Sequence, residues 1–453
     1  LFGTFMKAVH APPEDTRSDK RDLKHMAHSL KLTSYFTAAL LTSTSLFAAE
    51  CADPIKVGVL HSLSGTMAIS ETTLKDTMLM LIDAQNAKGG VLGKQLEAVV
   101  VDPASNWPLF AEKARELLTV HDVDVMFGNW TSVSRKSVLP VIEELNGLLF
   151  YPVQYEGEES SKNVFYTGAA PNQQAIPATD YFLDELGVEK FALLGTDYVY
   201  PRTTNNILES YLISKDIPKS DIFVNYTPFG HSDWSKIVAD VVALGADGKK
   251  VGVISTINGD ANIGFYKELA AAGISADDIP VVAFSVGEEE LSGLDTSNLV
   301  GHLAAWNYFQ SADVPANEAW VASWKELMGA ERVTNDPMEA HYIGFNMWVS
   351  AVEEAGSADV DAVRAKMYGQ TFPNLTGGTA VMLPNHHLSK PVLIGEIQAD
   401  GQFDIISQTA EVPGDAWTDY LTESAVLVSD WKDLECGMYN KQTETCVQIK
   451  SNY

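Results

Sequence analysis

The chain has 453 residues, of which 46% are hydrophobic and 20% charged, a balance typical of a folded protein with a substantial core. Its formal net charge of −29 argues against nucleic acids and anionic membranes as partners, because phosphate binding requires clustered Lys and Arg. The three cysteines are too few for a disulfide framework or a Cys-rich zinc module.

The amino-terminal region has the parts of an export signal. A short basic start at Met26 leads into an apolar run that ends in Ala48-Ala49. The run is shorter than the roughly 20 apolar residues that span a bilayer. We predict that 1–25 lie upstream of the native start, that 26–49 are a signal peptide, and that the mature protein is periplasmic.

The cysteines raise two minor possibilities. Cys51 follows the apolar run and leaves a lipoprotein as a lesser alternative, although Glu50 before it is a poor fit. Cys436 and Cys446 can close a small loop in an oxidising compartment, or remain two unpaired thiols. The tail 431–453 reads as irregular.

Strands and helices alternate in the first part of the chain. Predicted strands are Ile55–Leu60, Leu96–Val101, Val123–Phe127 and Leu148–Tyr151. Predicted helices are Glu71–Gly90, Pro108–Thr119 and Ser134–Leu145. This order indicates βαβ units and a parallel sheet.

The same rhythm restarts after residue 166. Predicted strands are Lys190–Leu194, Ile222–Thr227, Val251–Ser255 and Val281–Phe284. Predicted helices are Gln173–Leu186, Thr203–Ser214, Trp234–Leu244, Ile263–Ala272, Asn317–Met328 and Met338–Ala355. The pattern predicts two α/β lobes, with the chain crossing between them more than once.

Four loops that follow predicted strands are rich in aromatic, hydroxyl and amide groups. They are 128–132, 151–157, 195–200 and 257–260. Ligands of open α/β sheets bind at the carboxyl ends of the strands. Since these loops contain neither Lys nor Arg, they favour a small neutral ligand over a phosphate or a carboxylate.

Enzyme sites are weakly supported. The run 283–287, AFSVG, nearly fits a hydrolase elbow, but Ala replaces its first Gly and no convincing His follows. His386-His387 has no partner at metal-ligand spacing and predicts a surface loop. Glu288–Glu290 predicts a solvated helix start, with a position lining the cleft as the alternative. We therefore expect no catalytic residues, no metal and no cofactor.

The loop sequences resemble a known family. The runs GNWTSVSRKSVLPVIEE, LLFYPVQYEGEE, YTGAAPNQQAIPA and GTDYVYPR, within 128–201, are similar to short-chain amide sensors and, more closely, to urea-binding proteins of ABC transporters. NAKGGVLGKQLEAVVVDPASN resembles type I solute-binding proteins of the branched-chain amino acid and amide class. The resemblance covers roughly 54–430.

The resemblance implies a type I periplasmic-binding-protein clamshell of the α/β class. Each lobe would carry a parallel-rich sheet flanked by helices, with three hinge crossovers. The expected lobes are 54–168 with 313–380, and 169–312 with 381–430.

The resemblance also implies which residues form the ligand-binding site. Ser132 would bond the ligand, and Trp130, Tyr151 and Tyr198 would face it. Asp260 falls near the acidic partner that amino-acid binders use for the ammonium group. Trp130 replaces a usual tyrosine, and Val153-Gln154 replaces Thr-Pro of the amide sensors. The expected ligand-binding residues are Trp130, Thr131, Ser132, Tyr151, Gln154, Tyr155, Tyr198 and Asp260.

These observations predict a monomeric binding protein rather than an enzyme. It would capture urea between its lobes and deliver it to the permease subunits of an ABC importer. The alternatives are a short-chain amide or branched-chain amino acid binding protein, or a periplasmic ligand sensor.

Overall fold

The computed structural model describes residues 53–421 apart from Gly293, together with the backbone of 438–440 and 445–447. The predicted upstream segment, the signal peptide, Cys51 and the Cys436–Cys446 pairing lie outside the described residues. Among the residues described, no helix combines the length and apolar character needed to cross a bilayer.

The first lobe begins with five parallel strands that lie in the order β2-β1-β3-β4-β5. They are β1 (Ile55–Leu60), β2 (Leu96–Val101), β3 (Val125–Gly128), β4 (Leu149–Tyr151) and β5 (Val164–Tyr166). The connecting helices are α1 (Ala68–Ala87), α2 (Trp107–Thr119) and α3 (Ser132–Glu144). Parallel strands need crossover connections, which are usually helices. The predicted alternation of strands and helices therefore corresponds to a parallel sheet covered by helices.

The second lobe follows with the same rhythm. Its strands are β6 (Lys190–Thr196), β7 (Ile222–Thr227), β8 (Val251–Thr256), β9 (Val281–Ala283) and β10 (Leu303–Trp306). Its helices are α4 (Ala175–Asp184), α5 (Val199–Ser214), α6 (Ser235–Leu244), α7 (Ala261–Ala271) and α8 (Glu288–Leu291). All seven residues of β6 are buried, as expected for a central strand covered on both faces.

The chain then returns to the first lobe and leaves it again. The elements of the return are α9 (Pro315–Met328), α10 (Asp336–Ala355), α11 (Val360–Met367), β11 (Thr371–Pro373), β12 (Thr379–Met382) and β13 (Leu388–Lys390). Trp324, Trp348 and Leu388 belong to the same buried apolar core as β1 and β3. The return segment therefore completes the first lobe.

The last strands join two sheets. They are β14 (Leu393–Ile397), β15 (Phe403–Gln408) and β16 (Val412–Pro413). β14 pairs antiparallel with β10, which gives the second sheet the order β15-β14-β10-β9-β8-β6-β7, while β16 pairs with β13 in a four-stranded sheet. In the predicted irregular tail, Met438–Asn440 and Thr445–Val447 form an antiparallel pair, β17 and β18. The lobe boundaries stay a prediction. The boundary predicted at residue 380 falls inside β12.

One buried amide ties the three crossings together. Asn307 lies just after β10, on the second crossing, and is fully buried. Its Nδ2 donates to the carbonyl oxygen of Gln173 on the first crossing (3.1 Å) and to that of Pro391 on the third (2.7 Å). Its backbone N–H donates to Asp336 at 2.9 Å. Because buried carbonyls need donors, this side chain fixes the relative position of the three segments.

Two expectations for charged or titratable residues are wrong. His386 and His387 are fully buried rather than on a surface loop, because the β12–β13 turn folds back against β5 and the Tyr166 N–H donates to the His386 carbonyl. Glu288 and Glu290 are buried rather than solvated, because α8 packs against α1 of the first lobe. Both contacts join segments that are far apart in the sequence, so no local sequence pattern predicts the burial of these residues.

Replacing the Asn307 side chain should destabilise the fold. Asn307→Ala leaves two buried carbonyls without a donor, so we expect the free energy of unfolding to fall by about 2–4 kcal/mol. Guanidinium chloride titration followed by circular dichroism measures the change. Asn206→Ala, on the exposed face of α5, is the matched control and should leave the midpoint unchanged. Equal midpoints for both variants would contradict the role given to Asn307.

Candidate ligand-binding cleft

The carboxyl ends of the strands in the two lobes face each other. The loops after β3 and β4 of the first lobe meet the loops after β6, β8 and β9 of the second. Three side-chain hydrogen bonds cross the cleft: Trp130 Nε1 to Asn258 Oδ1 (3.3 Å), Gln154 Nε2 to Ser285 Oγ (2.7 Å), and Ser70 Oγ to Glu290 Oε1 (2.7 Å). The lobes are therefore in contact, and the loops between them are enclosed.

The turn after β3 places Trp130 in the cleft. Gly128 lies so close to β1 that a Cβ atom there would come within 2.2 Å of the Leu60 carbonyl oxygen. Asn129 follows with a left-handed φ of 66°, which turns the chain sharply. Thr131 then caps α3 by accepting a backbone N–H of its first turn. This local geometry directs Trp130 and Ser132 towards the opposite lobe.

Two acidic and two basic side chains form a balanced cluster behind this turn. Arg135 donates to Glu159 from Nε (2.7 Å) and Nη2 (3.1 Å), and it is fully buried. Lys136 Nζ lies 2.9 Å from Glu159 and 3.4 Å from Glu156. Ser132 Oγ donates to the other oxygen of Glu156. Each buried charge therefore already has a partner of opposite sign.

Burial alone would raise the pKa of Glu159, but Arg135 and Lys136 outweigh it and lower that pKa to about 2. The carboxylate is ionised throughout the physiological range, and so is the guanidinium that it binds. Arg135 and Glu159 therefore form a permanent ion pair rather than a proton relay.

Three tyrosine rings surround the Arg135 guanidinium. Its central carbon lies 4.5 Å from the ring centroid of Tyr151, 4.7 Å from Tyr155 and 5.8 Å from Tyr166. A cation over aromatic faces is stabilised by the ring quadrupoles, most strongly where water is excluded. Burial raises the pKa of the Tyr155 and Tyr166 hydroxyls well above their ordinary value, so both stay neutral donors and acceptors.

Tyr155 also contacts one of the buried histidines. Its hydroxyl lies 2.5 Å from His387 Nε2, while His387 Nδ1 lies 2.7 Å from the Asn385 carbonyl oxygen. A neutral imidazole satisfies both contacts by donating from Nδ1 and accepting at Nε2. Burial lowers the pKa of His387 to about 4, so this neutral form persists at physiological pH.

The structure brings seven of the eight predicted site residues to the cleft loops. Trp130, Thr131, Ser132, Tyr151, Gln154, Tyr155 and Tyr198 are all less than a tenth exposed. Thr131 acts as a helix cap and Tyr155 lies on Arg135 and His387, so both support the site from behind. Tyr151 donates its hydroxyl to the Trp130 carbonyl. Asp260 is exposed at the start of α7, outside this enclosed group.

Some contributors were not predicted as site residues. Asn258 and Ser285 of the second lobe bind Trp130 and Gln154 across the cleft. Glu156 and Arg135 hold Ser132 from behind. Asn258 lies in a loop singled out from the sequence, but its partner is more than 100 residues away and follows only from the closure of the lobes.

An aromatic contact extends the closure at one end of the cleft. The Phe229 ring of the second lobe lies 4.9 Å from Tyr198 and 5.2 Å from Trp107 of the first lobe, between ring centroids. Burial raises the pKa of Tyr198 well above its ordinary value, with smaller contributions from Tyr151 and other neighbours. Tyr198 therefore presents a neutral hydroxyl and a flat face.

Removing the buried cation should destabilise the first lobe. Arg135→Met leaves Glu156 and Glu159 buried with only Lys136 beside them, and we expect a loss of about 3–5 kcal/mol in unfolding free energy. Arg115→Met is the control, because Arg115 pairs with Glu144 on the exposed surface. Guanidinium chloride midpoints compare the two variants, and similar values would refute the structural role of Arg135.

Acid should weaken the fold through His387. Its folded pKa of about 4 lies below the unfolded value of about 6.5, so its neutral form adds stability at neutral pH that is lost as pH falls from 6.5 through 4. The loss from this residue is about 3 kcal/mol. His387→Gln cannot bind that proton, so its unfolding free energy should fall less steeply over this interval. Parallel curves for the wild type and the variant would contradict the assignment.

Comparison with known proteins gives the family. Residues 55–423 match the model of the periplasmic binding protein domain. Leu/Ile/Val-binding protein homolog 6 of Brucella melitensis is 24% identical over 395 residues, which cover 83% of this chain and 97% of that protein. A limonene hydroxylase of Geobacillus stearothermophilus is 34% identical over 134 residues, 29% of this chain, and the matched part is only 24% of that protein's length.

Solved structures agree on the fold. A solute-binding protein of an ABC transporter from R. palustris, in complex with 4-hydroxybenzoate, superposes with a TM-score of 0.69 at 20% identity, over 79% of this chain and 98% of that one. That structure has the same two-lobed α/β fold with parallel-rich sheets flanked by helices. The chain belongs to the periplasmic binding protein family.

Proposed function

We propose that this protein is the periplasmic, monomeric binding component of an ABC importer, and that it captures a small neutral solute, with urea as the first candidate. The observation that carries the proposal is the balanced cluster behind Ser132. Arg135 and Lys136 already pair with Glu156 and Glu159, so the described cleft residues offer polar and aromatic groups without a free cation.

The remaining polar groups suit a planar ligand rich in N–H donors. Urea carries four N–H groups and one carbonyl acceptor. Gln154 Oε1 is buried and forms no hydrogen bond with the described residues, and neither does the side-chain amide of Asn129. Trp130 and Tyr198 supply flat faces on either lobe. Acceptors between two aromatic walls would pair with the N–H groups of urea. A ligand that lacks N–H groups would leave the same acceptors unpaired.

A carboxylate-bearing ligand is the second candidate, and the relatives favour it. The Brucella relative is named as a Leu/Ile/Val-binding protein homolog, and the R. palustris protein was solved with 4-hydroxybenzoate. Either ligand class would need a cation or several N–H donors for its carboxylate. Arg135 is the buried cation beside the cleft turn. A ligand carboxylate that bound to its guanidinium would break the hydrogen bonds of Arg135 to Glu159. A short-chain amide avoids this difficulty and is the closer alternative to urea.

In this proposal the protein binds its solute without chemical change. Closure of the lobes around the ligand buries it, and permease subunits recognise the closed form. The same fold would also serve a periplasmic sensor. Uptake of labelled urea into cells that express the matching permease, with and without this protein, separates transport from sensing.

Calorimetry tests the ligand assignment. Purified protein titrated with urea, acetamide, leucine and 4-hydroxybenzoate should release heat with urea and, more weakly, with acetamide. Trp130→Ala should weaken urea binding by about tenfold or more, because it removes one wall and the bond to Asn258. Binding of leucine or 4-hydroxybenzoate with no response to urea would reject the proposal in favour of the second candidate.

A matched pair of glycines tests whether closure is required. Gly259 has φ = 67°, and a Cβ atom there would lie 2.8 Å from the Thr66 carbonyl oxygen of the opposite lobe. Gly273 has φ = 69° but open space around it. Gly259→Ala and Gly273→Ala should lose similar stability, about 1 kcal/mol, from backbone strain. Only Gly259→Ala should weaken urea binding, and equal dissociation constants would contradict a closure-dependent site.

A further inference from the structure

Two buried polar side chains bridge the two lobes. Gln154, in the loop after β4, donates from Nε2 to Ser285 Oγ, in the loop after β9, at 2.7 Å. Both side chains are almost fully buried, with 3% and 1% exposed. Their loops belong to different lobes, so the bond exists only when the lobes are closed. We call Gln154, Ser285 and Tyr200 the clasp.

Tyr200 completes the clasp from the first turn of α5. Its ring is 2% exposed, and its hydroxyl forms no well-aligned hydrogen bond with a described residue. Burial raises the pKa of this hydroxyl, while Gln154 and Ser285 beside it lower it in part. The hydroxyl is therefore neutral and lies next to the other two members of the clasp.

The clasp retains unused hydrogen-bonding capacity. Gln154 Oε1 is a buried acceptor without a donor among the described residues. A buried acceptor without a donor is destabilising, so a ligand donor at this atom would be favourable. One end of the Gln154 amide is thus held by the opposite lobe. The other end, Oε1, accepts no hydrogen bond from the described residues.

We propose that Gln154 determines ligand size, by spanning the cleft to Ser285 and presenting its carbonyl to the N–H group of a small amide or urea. This inference rests on the proposed function and adds to it an upper limit on the size of the ligand. A longer ligand has to displace the Gln154 side chain, which breaks the cross-lobe bond and weakens closure. A short planar ligand leaves the bond intact and satisfies Oε1. Selectivity then follows from the same side chain that helps to hold the lobes together.

The test compares urea and acetamide with butyramide, a longer neutral amide, by calorimetry on the full chain. The wild type should bind urea more tightly than butyramide. Gln154→Ala removes both the bulk and the acceptor, so urea should bind about tenfold or more weakly. Butyramide binding should be unchanged or stronger, because space is gained.

Two further variants separate bulk from hydrogen bonding. Gln154→Met keeps the length of the side chain without its polar atoms, so it should weaken urea binding and still exclude butyramide. Ser285→Ala removes only the cross-lobe acceptor, and should reduce the preference for urea over butyramide less than Gln154→Ala does. Gln95→Ala, exposed on the first lobe, is the control and should match the wild type. Far-UV circular dichroism confirms folding of each variant.

The outcomes separate this inference from the proposed function. If urea binds the wild type and Gln154→Ala weakens urea and butyramide by the same factor, the clasp is only a closing contact and the size limit is refuted. The same conclusion holds if no variant alters the preference. If the wild type binds leucine or 4-hydroxybenzoate but not urea or acetamide, both proposals fail together, since either ligand is longer than the clasp allows.

Discussion

The Arg135 guanidinium is the group on which the cleft depends most. It lies without solvent contact beneath Tyr151 and Tyr155, and holds Glu159 through two hydrogen bonds. This single side chain links the start of α3 with the loop after β4, the two segments that supply Trp130 and Gln154. A buried cation is tolerated only with full pairing, so both loops are constrained to one arrangement.

The same pairing explains why Arg135 and Lys136 offer no free cation to the cleft. The loop sequences contain neither Lys nor Arg, but the sequence alone does not place Arg135 relative to Glu156 and Glu159. In the fold, the positive and negative groups neutralise each other behind the turn. The polar groups that cross the cleft are hydroxyls, amides and the buried carboxyl group of Glu290, and they lie beside aromatic rings. Specificity would then arise from hydrogen-bond directions rather than from net charge.

Much of the fold and several cleft residues could be predicted from the sequence. The features that could not be predicted have physical causes. The strand–helix alternation and the position of Trp130 and Ser132 after a strand are local, and both were predicted. The short strand β10 and the antiparallel β14 were missed, since their pairing joins segments far apart in the chain. The burial of His387 likewise depends on a hairpin that folds back onto β5. Contacts such as Gln154 with Ser285 exist only between closed lobes, so no local pattern encodes them.

The bonds that cross the cleft bear on timing as well as on affinity. Before a captured solute can leave, the lobes must separate, and separation breaks the contacts of Trp130 with Asn258, of Gln154 with Ser285 and of Ser70 with Glu290 together. If the protein delivers a solute as proposed, these bonds would lengthen the residence time of any ligand that permits closure, and the permease would have to supply the energy of reopening.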